Sequence, residues 1–165
     1  MNVRNERLRT MISLLLGADL NVYFDALRVW AEDPERFQRE GYDERFHIEE
    51  PESISENPEE AELSLFLGVA QDLGYTHFLD WSGEDSDGDF ETWTEGRMEA
   101  LNRTYDTLFI EDWKDELDLN KLDRGDYILH KFRLIGDSLA KIGYSLIFLN
   151  EGGDSYYPFI IRQEA

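Results

Sequence analysis

The 165-residue chain contains no cysteine, which excludes a disulfide framework, a thiolate metal centre and a cysteine nucleophile. A reducing compartment, the cytoplasm, suits such a chain. Between Phe46 and Gly96 there is neither lysine nor arginine, and no basic stripe is visible elsewhere, so direct nucleic-acid binding has no phosphate-neutralising surface to use. No apolar run approaches the roughly 18 residues a membrane span needs. Arg4, Arg7 and Arg9 ahead of Met11 to Leu16 imitate a signal peptide. Ser13 interrupts that stretch, however, and Gly17 and Asp19 end it without a small-residue cleavage site. Leu8, Met11, Ile12, Leu15 and Leu16 share one helical face instead.

Catalytic signatures are missing as well. His47, His77 and His130 lie far apart and in no metal-binding spacing. Gly152-Gly153 suits a hairpin turn rather than a phosphate loop. Ser138-Leu139-Ala140-Lys141 matches S-x-x-K but has neither companion string, and Leu139 and Ala140 fit a core helix face. No catalytic residue, metal site or cofactor is expected.

What is present is enough apolar mass to fold. Hydrophobic residues make up 41% and aromatics 13%, far above the composition of a disordered acidic tail. The length suits one domain over 1–165. Helical spacing predicts helices from Asn5 to Leu16, from Leu20 to Ala31, and from Pro34 to Gly41. Residues 42–57 read as a surface connection. Asn57, Pro58 and Glu60 form a capping-box start for a helix with Leu63, Phe66, Leu67, Ala70 and Leu73 inward and Gly74 as its stop. A strand-like run, Thr76 to Trp81, precedes a helix from Phe90 to Arg103 and a brief strand at Leu108 to Ile110. The last helix buries Ile128, Phe132, Ile135, Leu139 and Ile142. A hairpin follows, Tyr144 to Asn150 and Ser155 to Arg162, turning at Glu151 to Asp154. The predicted fold is α+β, with a helical N-terminal half and a small antiparallel sheet on which helices pack.

Net charge is −21, and fifteen of those charges fall in the lysine- and arginine-free interval from Phe46 to Gly96. The densest part, Asp80 to Asp89, offers hard oxygen ligands. Asp85, Asp87 and Asp89 alternate as in an EF-hand loop, but Phe90 stands where its glycine belongs and Gly96 where its terminal glutamate belongs. A solvated acidic turn is the simpler reading. Self-repelling carboxylates on a folded surface either solubilise or attract a cationic partner. The interval therefore nominates Glu49, Glu50, Glu52, Glu56, Glu59, Glu60, Glu62, Asp80, Trp81, Glu84, Asp85, Asp87 and Asp89 as a partner-binding surface for a basic protein, such as a toxin nuclease. The alternatives are a metal-assisted hydrolase using Asp80, Glu84, Asp85, Asp87 and Asp89, and a scaffold whose charge only keeps it soluble.

Phe78-Leu79-Asp80-Trp81, the helix around Gly136-Asp137-Ser138-Leu139, and the hairpin Gly143 to Asn150 with Gly153-Asp154-Ser155-Tyr156-Tyr157 carry a resemblance. They are similar to an uncharacterised family of small bacterial cytosolic domains with an L-D-W strand end and G-x-D-S-Y near a C-terminal turn. The resemblance covers the C-terminal half and implies a shared fold, with no activity to carry over. In general character the chain also resembles bacterial immunity proteins, which neutralise cationic toxins.

Overall fold

The computed structural model describes residues 3–49, 57–80, 88–107, 110, 126–149 and 155–163. Residues 1–76 and 77–165 gather into two units; no linker-like tract marks their junction in the sequence.

In the first unit, α1 (Val3–Leu16) ends where Gly17 takes a positive φ of 51°, and a 3-10 turn, Gly17–Asp19, leads into α2 (Leu20–Glu32). The Asp33 side chain accepts a hydrogen bond from the Arg36 amide at 2.9 Å and so caps α3 (Pro34–Arg39). Residues 42–57 are not wholly a surface connection, because α4 (Tyr42–Phe46) lies within them. Five residues are too few for a helical period to register, and aromatic packing fixes them: the Tyr42 ring lies 5.2 Å from Phe37 and 5.9 Å from Phe46.

The next helix, α5 (Pro58–Asp72), starts at the expected place, but Asn57 makes no side-chain cap bond. Its Nδ2 donates instead to Glu60 Oε2 at 2.6 Å, so the carboxylate captures the side chain that a capping box would send to the backbone. The burial of α5 is wider than one stripe, taking in Ala61, Glu62 and every residue from Leu65 to Ala70. Ile12, Leu16, Tyr23, Trp30, Phe37, Phe46 and Phe66 are among the core residues of this unit. The helical run Glu6–Glu32 is long and apolar enough by composition to cross a membrane, contrary to the sequence-based expectation. Ser13 does not interrupt α1, but Gly17 ends it, so the apolar residues of this run are divided between α1 and α2 with the 3-10 turn between them.

The second unit holds a three-stranded antiparallel sheet in the order β1-β3-β2. β1 is only Leu79–Asp80, shorter than the Thr76 to Trp81 run predicted; Thr76 to Phe78 form no strand and Trp81 is outside the described residues. α6 (Asp89–Ala100) and α7 (Asp126–Lys141) precede the hairpin strands β2 (Tyr144–Leu149) and β3 (Ser155–Arg162). Register runs from Tyr144 opposite Arg162 to Leu149 opposite Tyr157, with Phe148 opposite Pro158. β1 meets β3 at Leu79 opposite Tyr156 and Asp80 opposite Ser155.

Phe132 of α7 anchors the helix to the sheet, its ring 4.3 Å from Phe148 and 5.6 Å from Tyr156. Leu79, Phe90, Met98, Ile110, Ile128, Ile135, Leu139, Tyr144 and Ile160 share this core. Ile142, expected on the buried face, is 48% exposed. It lies past the end of α7, immediately before Gly143 turns the chain with a φ of 83°. The architecture is α+β. The turn at Glu151 to Asp154 and most of the Leu108 to Ile110 segment are outside the described residues.

Candidate functional site

The acidic interval divides between the units, with Glu49 to Asp72 in the first and Asp80 to Glu95 in the second. Glu49, Glu60 and Asp89 are exposed, and Glu59 is half-buried in the first turn of α5. Asp80 occupies a strand position in β1. Glu50, Glu52, Glu56, Trp81, Glu84, Asp85 and Asp87 are outside the described residues.

Glu62 is different, being 8% exposed and paired with Arg9 at 3.1 Å. It shares the core side of α5 with Leu65, Phe66 and Val69, a spacing that already marks its position as inward. Beside this pair sits the fully buried Tyr23, whose hydroxyl has no hydrogen-bond partner among the described residues. Burial, with the Glu62 charge adding to it, pushes the Tyr23 phenol well above its ordinary value, only partly offset by Arg9.

Glu91 is the second internal member of the interval. Its Oε2 lies 3.1 Å from Lys131 Nζ, joining α6 to α7 with side-chain exposures of 9% and 1%. The Lys131 ammonium also lies 5.3 Å from the centre of the Tyr127 ring. Lys131 falls between Ile128 and Phe132 on the inward stripe of α7, a charged residue at a core position that only an internal partner can satisfy. Charge distribution along the chain does not reveal the pair, although that misplaced lysine is a signal for it.

A polar cleft of about 700 Å³ opens along α6. Thr92, Glu95, Gly96 and Glu99 line one wall, at the i, i+3, i+4 and i+7 spacing of a single helix face. The rest of the lining follows from how α6 ends, in a double-bonded reversal: the Asn102 amide donates to the Glu99 carbonyl at 2.8 Å and the Arg103 amide to the Met98 carbonyl at 2.9 Å. Asn102 takes the left-handed conformation this requires, φ 56°. Arg103, Thr104 and Tyr105, just past this turn, complete the lining with Asn102.

Glu95 is held in place, its Oε1 accepting from the Thr107 amide at 2.9 Å and from the Thr107 hydroxyl at 2.5 Å. Arg103 Nε donates to the Tyr144 hydroxyl at 3.4 Å. Burial raises the Tyr105 phenol above its ordinary value, opposed by a hydrogen bond with Ser138 and reinforced by the Glu95 charge.

A family model described as a domain of unknown function (DUF6630) matches residues 7–165. The chain belongs to this family. The match takes in the helical front end as well as the C-terminal half on which the sequence resemblance rests. No curated protein and no solved structure matches the DUF6630 chain.

Among the described residues of this DUF6630 domain, no group of three or more His, Asp or Glu side chains is arranged to hold a metal ion. Most of the Asp80 to Asp89 loop is outside those residues. The described geometry instead sorts the carboxylates by role. Glu62 and Glu91 are internal counter-charges, Glu95 and Glu99 line a cleft, and Glu49, Glu60 and Asp89 face solvent.

Proposed function

We propose that this DUF6630 chain is a non-catalytic binding module whose acidic interval engages a basic protein. The observation that carries this reading is the absence of lysine and arginine from Phe46 to Gly96. Among the described residues, cations from outside the interval reach three of its fifteen carboxylates, Glu62, Asp72 and Glu91, through Arg9, Arg45 and Lys131. Arg28 and Arg36 are engaged outside it, by Asp25 and Glu40. Exposed carboxylates such as Glu49 and Glu60 are left to project a negative field, and complementary fields accelerate encounter more than they deepen affinity. A toxin nuclease neutralised in the cytoplasm of the cell that makes it is the sharpest instance of such a partner.

The association rate with the basic protein recovered from the source cell should fall about tenfold or more between about 0.05 and 0.5 M salt, while dissociation changes less. Reversing Glu49, Glu59 and Glu60 to lysine should slow association more than reversing the exposed Glu6, Glu32 and Glu35. Glu62 stays untouched in this test, because its reversal would break the buried pair with Arg9. Equal effects of the two sets, or a rate indifferent to salt, would leave the interval with a solubilising role only.

A further inference from the structure

We propose that the cleft along the C-terminal half of α6 binds a small zwitterion, a molecule carrying both an ammonium group and a carboxylate. The proposal is independent of the protein-binding reading.

Three local choices at this cleft work against the helix that carries them. Glu95 and Glu99 are like charges one turn apart on one face, where they repel. Glu99 lies in the last turn, at the negative end of the helix dipole, where a cation is the favoured occupant. Gly96, between them, weakens the helix interior, and a Cβ there would meet no atom within 4 Å. Coincident departures from local preference, on a concave surface, mark sites kept for a ligand. The volume of about 700 Å³ lies within the range of small-molecule sites.

The lining specifies the charge of the ligand. On the α6 wall, Glu95 is fixed by its two bonds from Thr107, and both are received by Oε1. Its other oxygen, together with Glu99 and the Thr92 hydroxyl, provides acceptors for an ammonium group. Past the helix end, Arg103 lines the same cleft, makes no ion pair among the described residues, even with Glu99 four positions before it, and uses only Nε, toward Tyr144. Its terminal nitrogens are the donors a carboxylate needs. A simple cation would meet Arg103 and a simple anion would meet two glutamates, so only a ligand with both charges satisfies the whole lining.

Amide-resolved NMR of the full chain, titrated with each standard free α-amino acid and with triglycine, tests this. At least one probe should give saturable shifts at the amides of Glu95, Gly96, Glu99, Arg103 and Tyr105. The N-acetylated and the carboxyl-amidated forms of that probe should each bind about tenfold more weakly or worse. Glu99→Gln and Arg103→Gln, both at exposed positions, should weaken it to a similar degree. Gly96→Ala should weaken binding while raising the melting temperature, which separates loss of the cleft from loss of the fold. The proposal is overturned if no probe saturates, if a blocked form binds as well as the zwitterion, or if the shifts survive in the Glu99→Gln/Arg103→Gln double variant.

Discussion

Tyr23 keeps a hydroxyl in the core of the first unit with no partner among the described residues. Removing that oxygen by Tyr23→Phe should leave stability at pH 7 within about 1 kcal/mol of the parent or slightly above it, since no internal bond is lost. Alkali should separate the two proteins. The folded phenol has its pKa raised above the ordinary 10.0, so the native state holds a proton that the unfolded chain gives up. The contribution is intact below pH 10 and is lost as pH climbs above it. Denaturant titrations above pH 10 should therefore show stability falling more steeply for the parent than for Tyr23→Phe. Lys131 and Glu91 form the other internal charge site. Lys131→Met strands a buried carboxylate and should cost about 3–5 kcal/mol, whereas Lys131→Met with Glu91→Leu should return most of it. Urea unfolding of the two variants would decide between a paired and an independent role for these side chains. Counting charges along the chain places Glu91 on the surface because its partner lies forty residues away. Its position, three before the buried Thr94 and seven before Met98, carries the information that a charge count discards.

Glycine has opposite meanings in two of the helices. At Gly68 of α5 a Cβ would overlap the Phe46 carbonyl, so the helix touches the backbone at the end of α4. At Gly96 of α6 a Cβ would enter open space. Gly68→Ala should thus destabilise by about 1–3 kcal/mol or more, while Gly96→Ala should stabilise by up to about 1 kcal/mol, an ordering that thermal melts can check. Helical spacing reveals α1, α2 and α7, each thirteen residues or longer, whereas α5, buried on more than one stripe, is bounded by its Asn57-Pro58 start and Gly74 stop. It misses α4, whose five residues are fixed by ring packing. The predicted end of α6 runs on to Arg103 rather than stopping at Ala100, since Asn102, and not a glycine, takes the left-handed position. That same turn makes the cleft, which explains why the cleft is invisible in the sequence. Its polar side chains look like an ordinary solvated helix face until the chain doubles back on them.

At the scale of the whole molecule the dominant quantity is a net charge of −21. Mutual repulsion of uncompensated carboxylates opposes compactness, and mobile ions screen it over about 8 Å at physiological ionic strength. The melting temperature should therefore rise as sodium chloride is increased from about 0.01 to about 0.3 M. A flat or falling response in differential scanning calorimetry would mean that the charges are balanced locally. The α+β class is legible from the order of the predicted elements, but the division at Thr76 is not, because no change of composition marks it. Repulsion is also a weak guard against self-association once salt is present, and the sheet carries a second one. β1 pairs in register with β3 at Tyr156 and Ser155, and β3 itself runs on to Arg162. Pro158 lies in that continuation, opposite Phe148, and proline has no amide hydrogen to donate. A proline inside the strand leaves β3 one ladder donor short, which limits how far pairing can extend along it.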